Sequence, residues 1–396
     1  MRVKRIGSLV AVAVAFSVAR ATAQSAAPSG AKGWEIVGLP ALNFSTDEGF
    51  GYGALAQIYN YGAGVQPYRY TIQPTLFLTT KGRRDVVVFF DAPKLLARDW
   101  RLDVNVSREQ QLANPYYGVG NASVYDSTKE RAPDAYYYRY GVVQYRLLTN
   151  LQHQLGSRPA RVLIGMGFTH AKTDATPFDS GTTFLVSELA GAPAPEGNVN
   201  FVRAGLVWDT RDREIGPSRG TYADVIGQRV DKAIGATASY SRVTATVRQY
   251  VPLTPRLVGA ARVLVQQTSG AVPLYDIATL LASYKSGEGI GGPNSVRGLA
   301  KNRFVGKGVV MGNAELRWRF TDFSLRGKPS FLLASGFLDA GRVWTGAIQP
   351  GEIFSDLHAG YGGGLRIGLG QSFVIAIDYG KSSESSQLYI GLGYPF

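Results

Sequence analysis

From Gln387 to Phe396 the chain alternates between two kinds of side chain without interruption. Leu388, Ile390, Leu392, Tyr394 and Phe396 occupy one set of positions, and Gln387, Tyr389, Gly391, Gly393 and Pro395 the other. Successive side chains of a strand point to opposite faces, so this is one apolar face backed by one small or polar face. Phe373, Ile375, Ile377 and Tyr379 repeat the rule opposite Ser372, Ala376 and Asp378. Val243, Ala245 and Val247 repeat it opposite Arg242, Thr244, Thr246 and Arg248. A soluble sandwich would turn the polar face outwards to water, whereas a membrane barrel turns the apolar face to lipid and the polar face into its lumen.

The N-terminus favours the barrel. Met1-Arg2-Val3-Lys4-Arg5 is followed by an apolar run from Ile6 to Val18 and by Ala21-Thr22-Ala23. A basic start, a short apolar core and an A-x-A site describe a signal peptide, and the run is too short to span a bilayer of ~30 Å as a helix. Cleavage is expected after Ala23, giving a signal peptide 1–23, a short flexible tail 24–32 and a single barrel domain 33–396. No later segment holds eighteen uninterrupted apolar residues, which excludes helical spans. With 48 glycines and 22 tyrosines in an exported chain, the expectation is an all-β fold, a transmembrane antiparallel β-barrel in the bacterial outer membrane.

Charge and cysteine usage agree with that placement. Removing the four basic residues of the leader from the formal +13 leaves +9. The basic residues are scattered among tyrosines and glycines, with no basic helix and no zinc or helix-turn-helix spacing, so nucleic acid is not an expected partner. A basic lumen, or rims facing anionic lipid headgroups including lipopolysaccharide, suits the distribution. The chain has no cysteine, and a domain of this length needs no disulfide to be stable.

Alternation predicts about sixteen strands, an even number as expected of a single-chain bacterial barrel. They centre on 34–44, 49–60, 68–80, 84–91, 99–110, 134–148, 158–172, 199–209, 219–230, 237–250, 255–268, 307–320, 329–344, 357–368, 371–381 and 387–396. The long connections, 111–133, 173–198, 269–306 and 346–356, all follow odd-numbered strands. Those after even strands, such as 251–254, 321–328 and 369–370, are mostly shorter. Long loops outside the cell and short turns inside is the asymmetry of outer-membrane barrels.

The longest connection carries Gly291-Gly292-Pro293-Asn294-Ser295-Val296-Arg297-Gly298-Leu299. Its glycines permit a tight fold around one cation, and a connection this long is usually either functional or disordered. The motif resembles the loop-six motif of the outer-membrane assembly superfamily, the BamA/TamA-type barrels also called bacterial surface antigen proteins. That family usually has an aromatic residue where Leu299 stands here. Four further stretches are similar: Asp209-Thr210-Arg211-Asp212 with Pro217 and Gly220, a mid-barrel turn; Asn313-Ala314-Glu315-Leu316-Arg317; Phe337-Leu338-Asp339-Ala340-Gly341; and Tyr117-Gly118-Val119-Gly120-Asn121. The resemblance covers the mature chain. It departs from the family ahead of the barrel, where the family's periplasmic polypeptide-transport-associated domains are replaced by residues 24–32.

The resemblance implies a sixteen-stranded barrel whose sixth outer loop folds into the lumen, with Gly292, Val296, Arg297, Gly298 and Leu299 as its core. It also implies that Arg297 bonds acidic residues of the inner wall. Strand parity independently places Glu315, with Asn313 and Arg317, on the inner face of one strand and Asp339 on that of the next. Two carboxylates there would repel without a cation between them, and a guanidinium fork suits both. The alternative is that Glu315 pairs with Arg317 or Arg319 on its own wall. Tyr389, Gly391, Tyr394 and Phe396 resemble the terminal signature by which outer-membrane barrels are recognised during assembly. Gly391, Gly393 and Pro395, facing a first strand with Gly38 and Pro40, predict a weakly paired seam. The role implied is insertion or translocation of proteins at the outer membrane. The expected partners are unfolded outer-membrane clients or assembly-complex subunits, and the barrel is expected to be monomeric. A passive pore, receptor or structural barrel is the alternative.

Covalent chemistry has little to work with. His153, His170 and His358 are the available histidines, no serine sits in a G-x-S-x-G setting, and no residues have metal-ligand spacing. The expectation is a non-enzyme without cofactor or metal. Trp34, Trp100, Trp208, Trp318 and Trp344 are read as interface girdle residues.

Overall fold

Every alternating stretch becomes a strand, and the strands close on themselves. The computed structural model describes residues 33–62, 68–95, 99–130, 136–179, 182–214, 216–283, 286–325, 328–369 and 373–396; the expected signal peptide 1–23 and tail 24–32 lie outside them. In chain order the strands are β1 (Gly33–Ser45), β2 (Gly49–Tyr61), β3 (Tyr70–Thr79), β4 (Arg83–Leu95), β5 (Trp100–Pro115), β6 (Arg139–Gln154), β7 (Ala160–Asp174) and β8 (Glu196–Asp209). They continue with β9 (Gly220–Val230), β10 (Tyr240–Thr254), β11 (Leu257–Gly270), β12 (Gly308–Leu325), β13 (Lys328–Trp344), β14 (His358–Leu369), β15 (Phe373–Ser382) and β16 (Ser386–Leu392). Each pairs antiparallel with its neighbours in sequence, and β1 meets β16 to complete a closed sixteen-stranded barrel. Closure satisfies backbone groups that lipid cannot.

Faces follow the alternation. On β10, Val243 and Val247 are half exposed on the outside, whereas Arg242, Thr244 and Thr246 at the alternate positions are buried inside. The inside of this barrel is therefore polar, and its apolar band faces outwards. The connections 116–138, 175–195, 271–307 and 345–357 are the long ones and all follow odd strands. The tryptophans divide. Trp34, Trp208 and Trp318 are exposed on the outer surface as a girdle requires. Trp344 is buried instead, beneath Arg342 and within reach of Glu352 from the loop that follows β13, and Trp100 stacks on His153 with ring centroids 4.3 Å apart.

The chain end departs from its alternation. β16 stops at Leu392, not at Phe396, because Gly393 adopts φ +84°, a left-handed angle closed to most residues, while its N–H still donates to Val374 O at 2.8 Å. The turn carries the last residues off the sheet. Tyr394 packs against Arg317 and Arg366, and Phe396 is buried with Tyr250 and Ala260, so neither side chain faces lipid as the sequence pattern suggested.

The seam is short. Among the described residues β1 and β16 pair only through Phe44–Ile390 and Ser45–Tyr389, and the Leu388 N–H goes to Thr46 Oγ1 at 3.2 Å. On the other side of the loop-bearing wall, β12 pairs with β13 from Gly308–Trp344 to Leu325–Lys328.

Candidate functional site

The connection 271–307 is tied into a compact knot at its centre. Ile290 and Phe304 exchange both backbone hydrogen bonds at 3.0 Å, Gly292 N donates to Leu299 O at 3.1 Å, and Ser295 Oγ bonds Gly291 N and Gly289 O at 2.9 Å. Val296, Leu299, Ile290 and Phe304 form one apolar cluster with Leu264, Val309, Met311 and Val343 of β11, β12 and β13. Each such side chain contributes about 1.5–3 kcal/mol when fully buried. Leu299, at the position where an aromatic residue was expected, fills this cluster.

Arg297 is fully buried beside that cluster. Its Nε donates to Asp339 Oδ2 at 2.7 Å and its Nη2 to Asp339 Oδ1 at 3.0 Å, while Nη1 reaches Glu315 Oε2 at 3.0 Å. Its own N–H also donates to Asp339 Oδ2 at 3.1 Å, and the guanidinium lies 3.5 Å from the centroid of the Phe337 ring. Glu315 receives Arg317 Nε as well, at 3.0 Å, so both pairings considered from the sequence coexist. Asp378 and Arg366 complete the cluster: Arg366 forks onto Asp378 through two 2.8 Å bonds, and Asp378 lies 3.8 Å from Arg297. Alternation along the strand places Asp378 on the inner face, but nothing local in the sequence connects it to the loop.

Backbone approach explains a glycine-rich wall. A Cβ on Gly360 would lie 1.8 Å from Arg297 O, so only glycine lets the loop come this close to β14. The neighbouring residues then reach both edges of the seam. Gly298 N donates to Tyr389 Oη at 3.2 Å, and Tyr389 Oη donates to Leu299 O at 3.3 Å. Gly298 O accepts from Ser382 Oγ at 3.0 Å and Ser385 Oγ at 2.8 Å. Those contacts hold the β15–β16 side. On the β1 side, Lys301 N donates to Asp47 Oδ2 at 2.8 Å and Lys301 Nζ to Glu48 Oε1 at 2.6 Å. Burial is the largest influence on both turn carboxyls. It raises Asp47 above the ordinary carboxylate value; at Glu48 it is outweighed by Lys301 and Arg83, which pull that group down to about 2. Arg303 continues the line to Glu384 at 2.6 Å and to Ser123 at 2.8 Å. The early-loop stretch also docks here, with Gly120 N donating to Val305 O at 2.9 Å and Asn121 Oδ1 accepting from Val343 N at 3.1 Å.

The mid-barrel turn stands apart from Arg297; it is braced by its own bonds, by Arg101 on Glu214 at 3.2 Å, and by the Tyr394 ring against Gly216. Asp209 accepts two bonds of 2.9 Å from the Arg211 fork, Asp212 accepts the Ser218 N–H at 2.9 Å, and β9 begins at Gly220 just after Pro217. Burial would raise the Asp212 carboxyl, but the Ser218 and Arg219 bonds hold it below the usual range. The terminal residues separate too. Tyr389 joins the loop, Gly391 pairs with Ala376, and Gly393, Tyr394 and Phe396 make the inward turn. The histidines lie in different places: His153 on Trp100, His170 beside Asn198 at 2.9 Å, and His358 stacked on Phe304. Among the described residues no group of three or more His, Asp or Glu could hold a metal ion.

A family model described as the Omp85 superfamily domain matches residues 74–396. The chain belongs to the Omp85 superfamily. Omp85 barrels are outer-membrane barrels, in agreement with the apolar outer face. Among solved structures it is similar to BamA from Haemophilus ducreyi lacking POTRA domains 1–3, at 16% identity and a TM-score of 0.58, over 92% of this chain and 71% of that one. It is also similar to CdiB from Escherichia coli, at 12% identity and a TM-score of 0.60, over 92% of this chain and 64% of that one. The chain thus spans less than two thirds of the CdiB chain, and identities this low speak for the fold alone. No curated protein matches the chain by sequence.

Proposed function

We propose that this Omp85 barrel assists insertion or translocation of proteins at the outer membrane, without covalent chemistry. In this reading the connection 271–307 folds into the lumen and acts as a lock, and the β1–β16 seam acts as the gate. The observation that carries it is the division of bonds at the seam: two paired positions in the ladder, with residues 297–303 bonded to both edges. A strand edge left unpaired in lipid is costly, and it is a template on which an incoming strand can add. The client would be an unfolded outer-membrane protein, and kinship with BamA and CdiB supports that class. Arg84, Lys172 and Arg229, exposed toward the outer ends of β4, β7 and β9, suit lipopolysaccharide phosphates around a monomeric barrel.

Phe44→Cys with Ile390→Cys tests the gate at a directly paired position, in a chain that has no other cysteine. The oxidised barrel is expected to remain folded and to lose its ability to speed folding of a second barrel into liposomes, with activity returning on reduction. Full activity with the seam covalently closed would refute gating and favour the passive-pore reading.

A further inference from the structure

The lipid-facing side of the barrel carries a groove of about 660 Å³ between β4 and β8. Strand register lays its wall out in rows. Val88, Val106, Leu147 and Phe168 are successive cross-strand partners, and all four are exposed apolar residues. The next row, two residues nearer the long loops on each strand, reads Val86, Arg108, Tyr145, His170 and Asn198. The row beyond that begins with Arg84, opposite Gln110. An apolar wall thus gives way abruptly to basic and polar side chains.

The height of that change fixes what surrounds it. Asn198 stands ten residues before Trp208 on β8, and Trp208 is exposed on the same outer face. A rise of about 3.4 Å per residue and a strand tilt of about 40° separate them by about 25 Å, the height of the apolar band of an outer-membrane barrel. With Trp208 at one interface, Arg108 and His170 stand at the other, level with the lipid headgroups.

Charge at that level is matched everywhere on this rim but here. Arg229 bonds Asp231 at 2.9 Å, Arg342 reaches Glu352 at 2.7 Å, and Glu196 lies 3.8 Å from Lys172 and 3.6 Å from His170. Arg84 and Arg108 have no carboxylate partner among the described residues. Arg108 lies over the Tyr145 ring at 5.8 Å and donates from Nη2 to Gln110 at 3.0 Å. The adjacent acids Asp85 and Glu109 point inward, to Arg83 and Arg146. Arg84 and Arg108 are diagonal neighbours on adjacent strands, about 7–8 Å apart at the backbone, so two such long side chains reach one anion. A guanidinium fork matches phosphate in shape as well as in charge.

We propose that Arg84 and Arg108 hold a phosphate of an outer-leaflet lipopolysaccharide, one of whose acyl chains lies in the groove along Val88, Val106, Leu147 and Phe168. This narrows the lipopolysaccharide contact proposed above from a belt to one site, and rests on it for the leaflet that the long loops face.

Native mass spectrometry of the full chain in neutral detergent tests the site, with bisphosphorylated lipid A as probe and dephosphorylated lipid A and phosphatidylglycerol as controls. Arg84→Gln with Arg108→Gln is expected to weaken lipid A binding roughly tenfold or more, the scale of losing a charge-assisted bond, and to bring it to the level of the dephosphorylated lipid. Val106→Trp fills the groove without touching a charge and is expected to weaken binding as well. Lys172→Gln with Arg229→Gln removes cations that already have carboxylates, and is expected to change binding less than about twofold. All variants are expected to keep the heat-modifiable gel shift of a folded barrel. If the two arginine and lysine pairs weaken binding equally, the site is wrong and only the belt survives; if neither weakens it, both fail. Phosphatidylglycerol binding as tightly as lipid A would overturn the choice of lipid. A dimer that Val106→Trp breaks would assign the groove to a second copy of the chain instead.

Discussion

The barrel is strongest and weakest at two antiparallel pairs that lie close together around its circumference. β12 and β13 pair along their whole common length, whereas β1 and β16 pair at Phe44–Ile390 and Ser45–Tyr389 only. Glycine and proline are part of the difference, as the sequence predicts. What separates them is where the backbone leaves the ladder. Gly393 turns the chain inward before β16 can extend, and β1 carries Pro40, which has no N–H to give. The missing ladder bonds are replaced in part by side-chain and loop bonds, from Gly298 and Leu299 to one edge and from Lys301 to the other. A ladder opens residue by residue, but bonds gathered on one loop can be released together.

The largest effect is expected from removing the residue that ties the loop to the strong wall. Arg297→Ala leaves Asp339 and Glu315 buried, close together and without their shared cation, a loss on the order of 3–5 kcal/mol for a dry ion cluster. The expected outcome is lower heat resistance on gels and faster proteolysis within 271–307. Arg297→Lys keeps the charge but cannot fork, and should fall between the two. Unchanged melting and protease sensitivity in Arg297→Ala would show that the loop is held without Arg297, by its apolar cluster and the bonds of Gly298, Lys301 and Arg303.

Much of this arrangement can be read from the sequence, and what cannot be read has a common cause. Alternation is a local property, so strand positions, the even count and the inward placement of Asn313, Glu315, Arg317 and Asp339 follow from it. The terminal stretch shows the limit. Leu388, Ile390, Leu392, Tyr394 and Phe396 alternate perfectly, yet one positive φ at Gly393 sends the last two inside. The Gly393-Tyr394-Pro395 sequence was the available signal, because glycine and proline both weaken a strand. Lys301 with Asp47 and Glu48 was not legible at all, since nothing local relates a loop residue to a turn so distant in sequence. Gly360 was equally silent: its need for glycine comes from the Arg297 carbonyl lying against it.

A smaller effect isolates the β1 edge. Glu48 binds both Lys301 and Arg83, so Glu48→Gln should cost about 2 kcal/mol, the scale of hydrogen bonds to charged groups. The sign with pH follows from its depressed value. Its contribution is fully present above the ordinary 4.5, fades as pH falls toward about 2, and is gone below that. Asp47 beside it runs the other way, because burial raises it and its protonation relieves a cost. Burial of Asp47, the largest cause, is common to both proteins and only the smaller push from the Glu48 charge is lost, so the difference in stability between wild type and Glu48→Gln should shrink on acidification. A difference that stays constant to pH 2 would mean that Glu48 is not held by the two cations.

The smallest expected effect lies at the opposite edge, and it discriminates best between a seam held by its ladder and one held by the loop. Tyr389→Phe keeps the ring and deletes one hydroxyl, which accepts the Gly298 N–H and donates to Leu299 O. Both bonds are long, so the cost should be about 0.5–1.5 kcal/mol, and global melting should barely move. Locally the outcome differs between the two views. If the ladder holds the seam, amide exchange of β16 is unaffected, because Ile390 and Tyr389 keep their partners on β1. If the loop holds it, loss of this hydroxyl weakens one end of the bridge, which Ser382 and Ser385 still hold, and exchange should quicken at residues 386–392 and at Phe44 and Ser45. The β12–β13 amides should stay protected in either case. Faster exchange spread evenly over both walls would mean that the hydroxyl supports the whole barrel, and that the contrast between seam and wall is not what the loop controls.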